Sequence, residues 1–242
     1  MILNGKKLKK TPFKDSRGHA GESGQLHIAE TQNGIMYLVK SNPADVTNEF
    51  VVHRIAKIIG VPTSNAVLII EGDIVEVGIE YESDFKRVSM DDFIGNSVYP
   101  DDSPFLADLM SYLALRDLVK IGDNHQLALS KNRLISFDYA DSFNFSDTSY
   151  RIMRMMKDNS LSISAFSKLY SLPLELDYLF ETFKRPKTYF LIDAYCDTIF
   201  GFMDADLTPI LNELKEVFPP VISGFYESCF DVIKKTINKL GE

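Results

Sequence analysis

The chain has 242 residues, 45% of them hydrophobic, and a formal net charge of -8, so it can bury one large core or two adjoining lobes. The acidic balance excludes the basic surface that nonspecific binding to nucleic acid or anionic membrane requires, and no stretch reaches the roughly 20 apolar residues of a membrane-spanning helix. Cys196 and Cys229 lack zinc or redox spacing and Met1–Lys7 runs apolar before basic, the reverse of a secretory signal, so free thiols and a cytosolic protein are expected.

From Met1 to about Ser83 short strands with turn signals dominate. Ser16-Arg17-Gly18-His19-Ala20-Gly21-Glu22-Ser23-Gly24 has the glycines that let a backbone approach an anion and turn its N–H groups toward it; glycine-rich approaches to ordinary hairpins read the same way. Strands Gln25–Glu30 and Ile35–Lys40 flank Asn33-Gly34, a hairpin signal. Asn42 and Pro43 open a helix that runs to Ile59 and stops at Gly60 before Pro62. Its apolar face is Val51, Ile55, Ile58 and Ile59, and Glu49 falls away from that seam, toward Val52 and Ala56. A Lys ending a strand and a Glu on the following helix can form the ion pair that positions nucleotide phosphates; a solvent-facing Glu on an amphipathic helix fits the same pattern. Ala66–Glu71 and Ile74–Tyr81 complete a small antiparallel sheet across Gly72-Asp73, and Glu80 and Glu82 lead into a polar crossing over which a nucleotide base would sit.

Beyond Asp102 the period becomes helical. Ser103 and Pro104 begin a helix with Leu106, Leu109, Met110 and Leu113 on its buried side, which delivers the chain to Gly122-Asp123-Asn124-His125. After the apolar strand Leu134–Phe137 comes Asp138. A turn at Ser130–Arg133 would return Asp138 beside Asp123, one carboxylate orienting or deprotonating a hydroxyl and the other holding a divalent metal. Two surface turns that both contain Asp are the simpler reading. His125 fits a brace of this loop rather than a metal ligand. Further helices are expected at about 150–158, 162–170, 173–183, 187–204, 207–216 and 220–239.

Glycine loop, strand Lys, helix Glu, Gly-Asp-x-His loop and Phe-Asp turn follow one another in the order of a bilobal kinase. Gly122-Asp123-Asn124-His125 and Ile135-Ser136-Phe137-Asp138 resemble motifs of the HipA-like kinases, bacterial Ser/Thr kinases whose core is similar to that of the phosphatidylinositol kinases. Asn48 to Pro62 also resembles that family's Asn-Glu helix and the turn after it. The resemblance covers most of residues 16–145, and the C-terminal helices match only in general character. It implies an α+β, protein-kinase-like fold: an N-lobe of small antiparallel sheet and one helix at 1–83, a connection at 84–102 and a mainly α-helical C-lobe at 103–242.

The resemblance further implies ATP and Mg2+ as cofactors and transfer to a protein hydroxyl. Asp123 would be the catalytic aspartate, Lys40 the phosphate contact, Glu49 its partner, and Asp138 the metal aspartate. Gly18, Gly21, Ser23 and Gly24 would cover the phosphates, Ser23 and Ser16 would be candidates for autophosphorylation, and an antitoxin-like or regulatory partner would fit. One departure stands out: Ala128 occupies the place of the family's second metal-ligating Asn, leaving Gln126 or Asn124 as a substitute ligand, a single-metal kinase, or a nucleotide-binding pseudokinase used as a regulatory module. A lipid or small-molecule kinase uses the same cleft, but a membrane-binding stripe is absent from the sequence.

Overall fold

The computed structural model describes residues 1–13, 26–81, 84–93, 103–122, 126–143, 157–158 and 189–239. Ser16, Gly18, Gly21, Ser23, Gly24, Glu82, Asp123, Asn124 and His125 lie outside them, as do the helices expected between about 159 and 183.

The first third of the chain forms one six-stranded sheet, in the order β1-β5-β6-β4-β3-β2, with one long helix among its described residues packed on it. The strands are β1 (Ile2–Asn4), β2 (Lys9–Pro12), β3 (His27–Glu30), β4 (Met36–Lys40), β5 (Ala66–Glu71) and β6 (Ile74–Glu80). The expected hairpin at Asn33-Gly34 forms: Gly34 takes φ +78°, a conformation that glycine adopts without a Cβ clash, and its N–H donates to the Thr31 carbonyl at 3.0 Å. Gly72, at φ +64°, turns β5 into β6. The sheet departs from the expected antiparallel one because β1 pairs with β5 in parallel. That pairing joins residues far apart in sequence and has no local turn to announce it.

The two faces of the sheet have different burdens. Ala29, Tyr37, Val39, Val67 and Ile69 make a small core against Leu3 and Leu8. On this side a Cβ at Gly78 would lie 2.8 Å from Ile69 Cδ1 and 3.1 Å from Tyr37 Cβ, so a side chain there would push the Ile69 tip and Tyr37 aside. The opposite face carries Leu68, Val77 and Ile79 into the main core with α1 (Pro43–Ile58).

α1 differs from the amphipathic helix that its sequence suggests. Val46, Phe50, Val51, Val52, Ile55 and Ala56 are all buried, and so are Asn48, Glu49 and His53. A helix buried on nearly every side is enclosed by other elements: β5 and β6 lie on one side, Tyr226 bonds Asn48 from another, and Arg54 pairs with Glu213 at 2.7 Å. Glu49 therefore points into the protein, and the solvent-facing alternative is excluded. Gly60, at φ +80°, ends the helix, with Val61 N–H returning to the Ala56 carbonyl at 2.8 Å.

The second half is built on α2 (Pro104–Val119), buried along most of its length. It packs on α3 (Tyr189–Asp204), and α4 (Thr208–Val217) and α5 (Pro220–Asn238) close that side. A three-stranded sheet, β7 (Lys86–Val88), β8 (Leu127–Ser130) and β9 (Arg133–Ser136), lies against α2. Residues 86–88, expected to be part of a connection, are thus an edge strand. Lys131 and Asn132, at φ 48° and 60°, make the β8–β9 turn of the type whose twist matches a hairpin. Asp84 holds the turn, accepting from Ser130 Oγ at 3.1 Å and Lys131 N–H at 3.2 Å. The main core runs without interruption from the sheet through α1 to α2 and the C-terminal helices. Among the described residues no helix is long and apolar enough to cross a membrane.

Asp108 anchors β9 to α2. Buried, it accepts from Arg133 Nη2 at 2.7 Å, from Arg133 Nε at 3.0 Å and from Leu134 N–H at 3.0 Å. Asp108→Ala leaves that buried amide without an acceptor and should cost about 2 kcal/mol, read as a lower midpoint in urea; an unchanged midpoint would show that the contact adds nothing. The thiols make a second prediction. Burial pushes the Cys229 thiol well up, while Cys196 is half-buried and raised by burial and by Asp193 and Asp197. A thiol reagent at pH 8 should modify Cys196 slowly and Cys229 only after unfolding; rapid native labelling of Cys229 would contradict the packing of α5.

Candidate active site

Lys40 is the last residue of β4, on the face that meets α1, and it is opposite Val77 of β6. Next to it, β2 and β3 end in Pro12 opposite His27 and Phe13 N–H bonded to the Leu26 carbonyl at 3.1 Å. The described residues that flank the glycine-rich segment, Phe13 and Leu26, are therefore at the Lys40 end of the sheet. On the same face, one register step along, Ile28, Leu38 and Ile79 form an apolar row, with Ile28 and Leu38 only half-buried.

The Lys40 ammonium donates to Glu49 Oε1 and, at 2.5 Å, to Asp138 Oδ1. The two carboxylate side chains differ in access: Glu49 is 0% exposed and Asp138 38%. Glu49 is therefore a fixed internal partner, while Asp138 has an open side from which a ligand can approach. Burial alone would lower the Lys40 pKa, but the charges of Glu49 and Asp138 outweigh it and hold the ammonium above its ordinary range. Burial would raise Glu49, but Lys40 and then His53 outweigh it and hold the carboxyl far below its ordinary value. Asp138 goes the other way: burial and the neighbouring Glu49 charge exceed the pull of Lys40 and leave its carboxyl raised. One cation thus stabilises a buried carboxylate fully and a second, more exposed one incompletely.

Asp138 reaches Lys40 because the β8–β9 hairpin reverses the chain, with Leu127 opposite Ser136. One step further, Phe137 N–H donates to the Gln126 carbonyl at 3.2 Å, and beyond Asp138 Gly122 N–H donates to the Asp141 carbonyl at 2.8 Å. These two bonds tie the chain on either side of residues 138–140 to Gln126 and Gly122. Asp138 itself has φ 64°, a left-handed conformation of order 1 kcal/mol above the usual basins for a non-glycine residue. Asn48 holds the chain after it: Nδ2 donates to the carbonyls of Ala140 at 2.7 Å and Ser142 at 3.1 Å, and Oδ1 accepts the Tyr226 hydroxyl at 2.8 Å.

The remaining sequence-read positions are dispersed. Glu80 is opposite Tyr37, on the sheet face away from Lys40, and accepts from Asn65 Nδ2 at 2.5 Å. Gln126 Oε1 accepts from Arg87 Nη2, and the Arg87 guanidinium is 5.7 Å from the centroid of the Phe137 ring. Ala128 is fully buried and paired with Arg87. Among the described residues no group of three or more His, Cys, Asp or Glu could hold a metal ion. Magnesium is commonly bound by one or two carboxylates and the phosphates of its nucleotide, and the half-exposed Asp138 carboxylate fits that pattern. A second ion has no such fit at Ala128, whose methyl offers no donor, while the Gln126 oxygen is engaged by a guanidinium. Sequence reasoning gave no role to Asn48, Thr63, Arg87 or Tyr139; Asn48 adjoins Glu49 and Tyr139 adjoins Asp138, and that proximity was the available signal.

Sheet, buried Lys–Glu pair and hairpin-borne Asp together make a kinase-like fold. The proinflammatory kinase CtkA of Helicobacter pylori is similar to this chain over 98% of its residues and 99% of that chain, with a TM-score of 0.59 and 13% identity. HipA from the Shewanella oneidensis MR-1 toxin–antitoxin complex of HipA, HipB and operator DNA is a second structural neighbour, with a TM-score of 0.47 and 12% identity. That likeness covers 97% of this chain but 64% of the other. No protein-family model and no curated protein matches the sequence.

Proposed function

We propose that this chain is a HipA-like, ATP-dependent kinase that transfers the γ-phosphate to a Ser or Thr hydroxyl of a protein. The observation that carries the reading is the Lys40 ammonium shared between the buried Glu49 and the half-exposed Asp138. In this reading residues 1–83 form the lobe over the nucleotide, 84–102 the connection and 103–242 the lower lobe. Adenine lies against Ile28 and Leu38, with Glu80 and Glu82 on the connecting side, and Gly18, Gly21, Ser23 and Gly24 cover the phosphates. Lys40 neutralises phosphate charge and Asp138 holds Mg2+. Bound magnesium would supply charge neutralisation on the phosphate oxygens.

Asp123 orients the acceptor hydroxyl and takes its proton, with His125 bracing the loop. The hydroxyl oxygen forms a bond to the γ-phosphorus as the bond from that phosphorus to the β–γ bridging oxygen breaks, giving a phosphoester and ADP. Positioning and charge neutralisation provide most of the acceleration. Ser23 and Ser16 are the candidates for self-modification, and an antitoxin-like or regulatory partner belongs to the same proposal.

A second reading, a nucleotide-binding pseudokinase that regulates a partner, is favoured by the buried Ala128 and by the engagement of Gln126 with Arg87. Calorimetric titration with ATP, with and without Mg2+, followed by mass spectrometry for phosphate, separates the two. Binding followed by phosphorylation supports the kinase, binding without phosphorylation of the chain or of an added protein substrate supports the pseudokinase, and no binding removes both.

A further inference from the structure

The Lys40 cluster continues into the interior as a chain of polar groups. Glu49 Oε2 faces His53 Nε2 at 3.3 Å, one turn along α1, and both side chains are shielded from water. His53 Nδ1 is 2.7 Å from Thr63 Oγ1 and 3.2 Å from the Ser64 carbonyl. Thr63 Oγ1 donates to the Ser136 carbonyl at 3.2 Å and receives the Tyr139 hydroxyl at 3.4 Å. The Tyr139 hydroxyl also bonds Ser136 Oγ, and the Tyr139 ring meets the His53 ring edge-on, with centroids 4.6 Å apart. Tyr139 directly follows Asp138, and Asp138 returns to Lys40. The contacts therefore close into a ring of neighbours, Lys40, Glu49, His53, Thr63, Tyr139, Asp138 and Lys40 again, in which Glu49 Oε2 and His53 Nε2 face each other without a well-aligned hydrogen bond.

This ring ties together four separate pieces of chain: the end of β4, α1, the turn before β5, and the segment after β9. An apolar filling would pack the same space without demanding hydrogen-bond geometry, whereas a connected polar network fixes its members in one arrangement. The two ends of the buried path are the two carboxylates that hold Lys40. Besides the β8–β9 hairpin and Asn48, the groups between them constrain the separation of the two carboxylates and hence the point at which the ammonium is presented. We propose that His53, Thr63 and Tyr139 are positioning residues for a phosphate-bearing ligand at Lys40, acting through Glu49 and Asp138 without touching the ligand. The proposal rests on the nucleotide-binding reading of the site. A displacement of about 1 Å in such a group can cost about 100-fold in a reaction.

Tyr139→Phe and Thr63→Val remove single hydroxyls and keep the bulk of each side chain, while Thr63→Ser keeps the hydroxyl. The test has two arms on the full chain. In the first, calorimetry compares MgATP with AMP. Tyr139→Phe and Thr63→Val are expected to weaken MgATP by roughly 10-fold, in the range of other indirect ligand-orienting contacts, with AMP affinity within about twofold of wild type and Thr63→Ser like wild type. Equal losses for both nucleotides, or no loss, would overturn the proposal.

In the second arm, which needs no nucleotide, an amine-acylating ester labels lysines before mass spectrometry. Lys120, with a side-chain exposure of 8% against 15% for Lys40, reports general loosening. Faster labelling of Lys40 with Lys120 unchanged supports the ring as its positioning device; a parallel rise at both lysines, or none, contradicts it. A wild-type chain that binds neither nucleotide removes the phosphate role, and the lysine arm then still decides whether the ring positions Lys40.

Discussion

Asp138→Asn is expected to lower phosphoryl transfer by about 100-fold or more, in line with the loss of a preorganised electrostatic contact, while the protein stays as stable as wild type. Activity and stability separate here because of how the two carboxylates share Lys40. Glu49 is completely buried and remains as an internal partner of the ammonium when Asp138 is replaced. Asp138 is the raised carboxyl of the pair, disfavoured as an anion by burial and by Glu49, so a neutral amide in its place relieves a repulsion. Initial rates with MgATP, measured beside urea midpoints, check both halves. Transfer at the wild-type rate would contradict the metal role of Asp138, and a large fall in the urea midpoint would contradict the division of labour within the cluster.

Lys40→Met should have the opposite profile and cost the fold about 3–5 kcal/mol, the usual penalty for stranding a buried charge. The stranded group is Glu49, fully buried, with its Oε2 already lacking a well-aligned hydrogen bond. Adding Glu49→Gln to Lys40→Met should restore part of the loss, because the remaining amide carries no charge to desolvate. Urea unfolding of the single and double variants reads this directly. If the double variant is as unstable as the sum of the singles, the two residues are not coupled.

The pH dependence has a definite sign. The Glu49 contribution is complete above its ordinary value of 4.5 and is lost only as pH falls through its depressed one. The Lys40 contribution is complete below 10.5 and is lost as pH rises through its raised value. Asp138, being raised, opposes Glu49: its contribution is present at low pH and disappears as pH rises through its raised value. Acidification from neutrality should therefore discharge Asp138 before Glu49.

Much of the site was legible because short-range chemistry specifies it. Asn33-Gly34 and Gly72-Asp73 announced their turns, Pro43 and Gly60 bounded α1, and the polar residues between Ser130 and Arg133 allowed the reversal that carries Asp138 to Lys40. The burial of Glu49 was one of two readings left open, since helical periodicity assigns one apolar face and α1 is enclosed on nearly all sides. The parallel β1–β5 pair and the β7 edge strand were not foreseen, because strand pairing across long separations depends on the assembled core. Arg87 on Gln126 and Asn48 on the Ala140 and Ser142 carbonyls join residues distant in sequence, and no spacing along the chain announces those contacts.

The most direct test of the central claim is incubation of the purified chain with γ-labelled ATP and Mg2+, beside Asp123→Ala, with mass spectrometry of the labelled peptides. The account predicts label in wild type that vanishes in Asp123→Ala, with Ser16 and Ser23 as the first sites to inspect. A wild-type chain that takes up no label and binds no ATP would contradict it.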